Sequence, residues 1–195
     1  MPYPKSHKPA VRAKIVEAAR GLFNAHGFDR VSIDMVMDRA GLTRGGFYAH
    51  FASKEALFSA AVDSFLMGRG KEWRDSAGID PSQPTAEMAL RMVDSYLSRD
   101  HLQDVEGQCP LIALSTDVAR AGAEVRGSYE RLLSAMVWLF AGGQADPKRR
   151  QQAMATAAMC VGGMILARTI PGSEVTDDVR EAALVAARAL VAEAA

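Results

Sequence analysis

The stretch Gly41–Phe51, GLTRGGFYAHF, decides how this chain is read. Thr43 carries the side chain of a helix N-cap, and Leu42 and Phe47 then occupy the N′ and N4 positions of a hydrophobic staple. Phe47 and Phe51, four residues apart, point to one side of a helix. Yet Gly45 and Gly46 fall at N2 and N3, although glycine costs about 1 kcal/mol relative to alanine inside a helix. Glycines at a helix end remove side chains, so that another molecule can come close to the backbone. The stretch therefore predicts a helix over Thr43–Phe51 whose N-terminal end is either weak by accident or open to close approach by another molecule.

Upstream, Ile15, Ala18, Ala19, Leu22 and Phe23 recur at helical spacing, which predicts a first helix over about residues 9–25. Gly27 stands where a left-handed C-terminal cap is usual. Ser32 is placed to cap a second helix with Ile33, Val36, Met37 and Ala40 on its inner stripe, and Val31 and Val36 form its staple. Three short helices, the last two joined by a tight glycine turn at Gly41, make a helix-turn-helix.

Downstream, Ser53 caps a fourth helix expected to run without a break toward Trp73. AGIDPSQPT is a loop by composition. Further helices are expected over about 85–98, after Pro110, over about 123–141, and from Pro147 to Thr169 with Asp146 as cap. A last helix is expected after Thr176. On it Val179, Ala183, Ala186 and Leu190 are spaced 4, 3, 4, a seam for packing against another helix. The chain thus reads as all-α, with a helix-turn-helix head over residues 1–54 and a helical body over 55–195.

Composition agrees. Of 195 residues 49% are hydrophobic, which excludes a disordered chain, and alanine, leucine and methionine outweigh any period-two alternation. The net charge is zero, but nine Lys and Arg face four acids through Lys54, and the remainder carries the balancing acidic surplus. A basic head on an acidic body suits a polyanion-binding module. Two cysteines, Cys109 and Cys160, fit a reducing compartment. MPYPKSHKPAVRAK has no apolar core of a secretory signal, and the longest nearly apolar run, Ala153–Ala167, is short for a bilayer. A cytoplasmic protein without a membrane partner is expected.

From Lys14 to Leu57, KIVEAARGLFNAHGFDRVSIDMVMDRAGLTRGGFYAHFASKEAL resembles the DNA-binding head of the TetR family of bacterial transcriptional regulators. RAGLTRGGFYAHF followed by SKEAL matches most closely; the body offers weaker motifs such as GQCPLIALSTDVAR and VGGMILAR. The resemblance implies a sequence-specific regulator of transcription, ordinarily a repressor. It implies that Arg44, Gly45 and Tyr48 face bases or nearby backbone in the major groove of double-stranded operator DNA. Ser32, Thr43, Gly46, His50 and Lys54 would lie at phosphates. Physical chemistry supports these roles: an arginine can donate two parallel hydrogen bonds to guanine O6 and N7. Exposed N–H groups at a helix start favour phosphate. Asp34 departs from the family pattern of a basic or neutral residue there: an acid in the first turn of the second helix would repel phosphate and instead suits the helix dipole.

The resemblance further implies a homodimer formed by the last two long helices, with Ala158, Gly162, Ile165, Val179, Ala183, Ala186 and Leu190 as interface candidates. It also implies a small-molecule effector bound inside the body. Candidate lining residues are Trp73, Met88, Met92, Tyr96, Cys109, Met136, Trp138 and Met159, since Met and aromatic side chains suit adaptable apolar sites. The effector is then small and apolar or amphipathic. Cys109, just before Pro110, would sit at a helix N-terminus where thiolates are stabilised, which raises the alternative of a redox- or electrophile-sensing repressor.

An enzyme is disfavoured. The chain has no Walker loop, dinucleotide fingerprint, CxxC pair or HExxH motif, so no cofactor is expected, and His7, His26, His50 and His101 lack metal spacing. A thiol enzyme using Cys109 and His101 would want a third group that nothing supplies.

Overall fold

The computed structural model describes residues 7–194, and every regular element among them is helical. Two compact units emerge: one takes in the chain up to Leu66 together with Val105–Glu130, the other Met67–Asp104 and Arg131–Ala195. This partition differs from the expected division at residue 54, because a later stretch of chain packs into the unit that holds the head.

In the first unit α1 (His7–His26) buries Ile15, Ala19 and Phe23 completely. Gly27 ends it at φ +79°, its N–H bonded to Phe23 O at 2.8 Å. The Ser32 hydroxyl accepts from the Met35 N–H at 3.1 Å and opens α2 (Ile33–Arg39), with both staple valines buried. Gly41 turns the chain at φ +67°, a conformation that costs any residue with a Cβ.

The next element differs from the α-helix that its capping pattern predicts. Arg44–Ala49 form a 3-10 helix, and Thr43, although extended as an N-cap should be, makes no capping hydrogen bond. Adjacent glycines favour the helical state poorly, while Phe47 and Phe51 are both pulled into the core, and a short i to i+3 turn satisfies both demands.

The Ser53 hydroxyl accepts from Ala56 N–H at 3.1 Å and starts α3 (Lys54–Met67). The expected continuous run to Trp73 is broken at Gly68, whose non-helical φ −103°, ψ −116° separates α3 from α4 (Arg69–Ser76).

Residues 105–130 complete the first core. Leu114, Val118 and Val125 join Ile15, Phe23, Phe58 and Val62 in one hydrophobic cluster. The Ser59 and Ser128 hydroxyls share a buried hydrogen bond of 2.8 Å. This stretch holds α7 (Pro110–Ala113), α8 (Ser115–Arg120) and the start of α9 (Ala123–Phe140).

The second unit contains α4, α5 (Ala86–Tyr96), α6 (Arg99–Gln103), α10 (Pro147–Thr169) and α11 (Glu174–Ala194). Asp146 caps α10 through Arg149 N–H at 2.8 Å. α10 packs along α11, and a Cβ at Gly163 would collide with that of Ala183, so this crossing depends on a glycine. Arg180 on α11 donates a 2.7 Å hydrogen bond to Leu97 O, and Arg188 pairs with Asp94 of α5 at 2.7 Å. No helix among the described residues is long and apolar enough to cross a membrane.

Candidate nucleic-acid interface

The 3-10 helix is anchored from beneath. Phe47 and Phe51 are 0% and 4% exposed and stack at 5.8 Å, which leaves the opposite side of the short helix outward. There Thr43, Arg44 and Gly45 are exposed, and Tyr48 is 64% exposed with its ring edge-on to Phe47.

The two glycines are not demanded by the fold. A Cβ at Gly45 would meet nothing within 4 Å, and one at Gly46 only the Met37 methyl at 3.7 Å. Neither glycine has positive φ. The room that they leave therefore lies on the outside.

Arg44 is held from α2. Its Nη1 donates to Asp34 Oδ2 at 2.8 Å, and the two side chains are 67% and 50% exposed. This contact joins the first turn of α2 to the start of the 3-10 helix. Ser32 is exposed there as well, its oxygen accepting from Met35 N–H while its own proton can go to an outside acceptor.

His50 and Lys54 are less open. His50 is half-buried with an unpartnered Nδ1, and its pKa is lowered by desolvation and then by the charges of Lys8 and Arg12. Lys54 Nζ lies 4.1 Å above the Phe28 ring, and its pKa is lowered chiefly by desolvation. Both present positive charge or donors at the edge of the unit. Lys8 and Arg12, the latter with its guanidinium 4.5 Å from the Phe51 ring centre, join them without being marked by the head motif. Their spacing of four on the first turns of α1 is the signal that the sequence offers for them.

The expected effector residues are scattered. In the second unit the rings of Trp73, Tyr96 and His101 pack together, tilted or edge-on, with centres 4.8 to 5.7 Å apart. Met92, Tyr96 and Met136 are buried and Met88 half-buried. Trp138 and Met159, however, are 46% and 38% exposed, so neither lies inside as a lining residue should. Grooves on this unit include one of about 520 Å³ along Lys71, Arg74, Asp75 and Ile79 and another of about 280 Å³ between Pro84, Phe140 and Arg149. None of the eight candidates borders either groove.

Cys109 belongs to the first unit, 2% exposed at the cap of the four-residue α7. That burial denies it the solvent access that a reactive thiol needs. Cys160 is fully buried and its pKa is pushed up to about 12, so it is an inert thiol at neutral pH.

The expected dimer seam divides. Ala183 is buried against Gly163 within its own unit, a correction to its assignment as an interface residue. Val179, Ala186, Leu190, Gly162 and Ile165 are half-buried, and Ala158 is exposed. The outward apolar surface of these helices includes Leu166 at 57% and Val185 at 63% exposure, neither foreseen.

Comparison with known proteins agrees with this geometry. Residues 15–61 match the family described as bacterial regulatory proteins, tetR family. The HTH-type transcriptional regulator TtgR of Pseudomonas putida is 38% identical over 98 residues, covering 48% of this chain and 46% of that protein. The A-factor receptor protein of Streptomyces griseus is 45% identical over 49 residues, 25% of this chain and 18% of the relative. The chain thus spans less than half the length of these relatives. Among solved structures, a TetR transcriptional regulator from Chloroflexus aurantiacus has a TM-score of 0.75 at 21% identity, covering 96% of both chains. Escherichia coli NemR in its reduced form gives 0.73 at 17%, covering 92% of this chain and 96% of that one. At such identities the likeness shows the fold.

Proposed function

We propose that this chain, which carries the DNA-binding head and the fold of the tetR family, is a ligand-responsive repressor that binds a near-palindromic operator as a homodimer. The observation that carries this reading is the 3-10 helix itself. It buries Phe47 and Phe51 and turns Arg44, Gly45 and Tyr48 outward, at a place where the fold has no need of the glycines.

Such a short helix end can enter the major groove with its backbone close to the DNA. Arg44 supplies donors for a guanine edge, Tyr48 a flat face and a hydroxyl, and Thr43 and Ser32 hydroxyls for phosphate. Lys54, Lys8 and Arg12 add positive charge at the edge of this surface, and His50, its pKa lowered, adds a neutral imidazole that can donate a hydrogen bond. One head reads one half-site, so a dimer with heads about 34–36 Å apart, or a multiple of that, matches a palindrome. Exposed Leu166 and Val185 on α10 and α11 support pairing through these helices.

The body would bind a small apolar or amphipathic effector near the cluster of Trp73, Tyr96 and His101, and no catalytic role is assigned to it. A cytoplasmic location follows from work on chromosomal DNA. The burial of Cys109 favours a structural thiol over a redox sensor.

Fluorescence anisotropy on duplexes selected from a random library tests the reading, with Arg44→Ala/Tyr48→Ala as control. Saturable, salt-sensitive binding that prefers the selected site and loses at least about 1–3 kcal/mol in the double variant is expected. Equal affinity of both proteins for every duplex would overturn it. Light scattering should give a dimer mass, and Leu166→Glu should shift it toward monomer.

A further inference from the structure

The acid that departs from the family pattern is the partner of the arginine that matches it. Asp34 is the second residue of α2, and its carboxylate holds Arg44 Nη1 at 2.8 Å with both side chains largely in solvent. An exposed ion pair of this kind adds little to stability. Its use must be sought in what it does to Arg44.

A guanidinium has five N–H donors in a fixed plane, and Asp34 takes up only one of its nitrogens. The edge formed by Nε and Nη2 stays able to donate two parallel bonds, the pattern that guanine O6 and N7 accept. An unrestrained arginine beside DNA would pair with any phosphate, because that attraction is indifferent to sequence. A carboxylate at the same spot repels phosphate, while it does not compete for the second edge of the guanidinium.

We propose that Asp34 is a specificity-determining residue: through its ion pair it orients Arg44 toward a guanine and denies it to phosphate. The proposal rests on the DNA-binding reading given above. Asp34 lowers affinity for DNA in general and raises the ratio by which the operator is preferred.

Asp34→Asn and Asp34→Ala in the full chain test this, with anisotropy on a library-selected duplex and on a random duplex of equal length at several salt concentrations. Loss of the acid should tighten random-duplex binding by about 3-fold at low salt. The preference for the selected site should fall roughly 10-fold, and a repeated selection should show a relaxed guanine position. In Asp34→Asn/Arg44→Ala the preference should equal that of Arg44→Ala alone, since Asp34 acts through Arg44. Equal tightening on both duplexes, with the preference unchanged, would reduce Asp34 to a general negative charge and overturn the proposal. If the unaltered protein shows no preference for any duplex, the DNA-binding reading itself fails, and that outcome is visible before any variant is compared.

Discussion

Arg39 at the end of α2 and Glu106, sixty-seven positions later, are joined by two hydrogen bonds, Nη1 to Oε1 at 2.8 Å and Nη2 to Oε2. Both side chains are substantially exposed, so the pair itself contributes about 0–1 kcal/mol. The firmer attachment runs beneath it. Arg20 donates to Glu106 O at 2.7 Å, and Asn24 Nδ2 donates to Glu106 O at 2.9 Å and to Gln108 O at 2.7 Å, the latter buried. These bonds fasten the stretch before Cys109 to α1.

Asn24→Ala should therefore destabilise the protein by about 1–3 kcal/mol, since it removes the buried hydrogen bond to Gln108 O, while Glu106 O keeps Arg20. Arg39→Ala should cost less than about 1 kcal/mol. Urea unfolding of the two variants checks the order. A larger loss for Arg39→Ala would mean that the side-chain pair, and not the main chain, holds the stretch in place.

Gly45→Ala separates fold from function. The structure offers open space for the methyl group, so stability should be unchanged or rise by about 0.4–1 kcal/mol through a less flexible unfolded chain. Under the proposed function, affinity for the selected duplex should nevertheless fall, because the methyl group would take up room at the DNA-facing side. Thermal melts and anisotropy on one preparation decide it; lower stability with intact binding would assign the glycine to the fold.

His101 makes stability depend on pH. It is 7% exposed, and its Nδ1–H donates to Tyr96 O at 2.7 Å. Burial lowers its pKa and the Arg69 charge adds to this, against the smaller pull of the Tyr96 carbonyl and Asp104. The folded pKa lies below the ordinary value of about 6.5, so between the two the unfolded chain binds more protons. Stability is therefore complete above about pH 6.5 and declines as the pH falls toward the folded value. Glu106 and Asp177, whose pKa values are lowered mainly by hydrogen bonds from Arg39 and Arg99, act only below about pH 4.5. Melts between pH 8 and 5 should slope in the unaltered protein and flatten in His101→Asn. His50 shifts in the same direction but is common to both proteins, so it cancels in the difference. Parallel curves would clear His101 of the effect.

Local chemistry is legible in the sequence. Ser32, Ser53 and Asp146 cap the helices predicted for them, and Gly27 and Gly41 take positive φ, because each depends on neighbours a few residues away. The form of the Thr43–Phe51 helix is not legible, since the 3-10 turn reflects the depth at which Phe47 and Phe51 are buried. Nor is the attachment of residues 105–108: what α1 grips there is main-chain carbonyl, which any residue provides. For α10 and α11, a period of 3.6 marks an apolar stripe but not which neighbour covers it. With small residues all round, the crossing at Gly163 decides that Ala183 goes inside while Leu166 and Val185 stay out.

The chain crosses between its two units at residues 66/67, 104/105 and 130/131. Leu114, Val118 and Val125 share one core with α1 and α3, so the unit that holds the helix-turn-helix is assembled from two separate stretches of chain. A single recombination event that grafts a new head at residue 66 would seat it on a foreign stretch of core. Exchange of this head for another is workable only as a double event, or when the incoming Phe58 and Val62 equivalents happen to fit the resident helices. Under the proposed function, a change in the DNA sequence that is read is then reached more readily by point substitution at Asp34, Arg44 and Tyr48 than by shuffling.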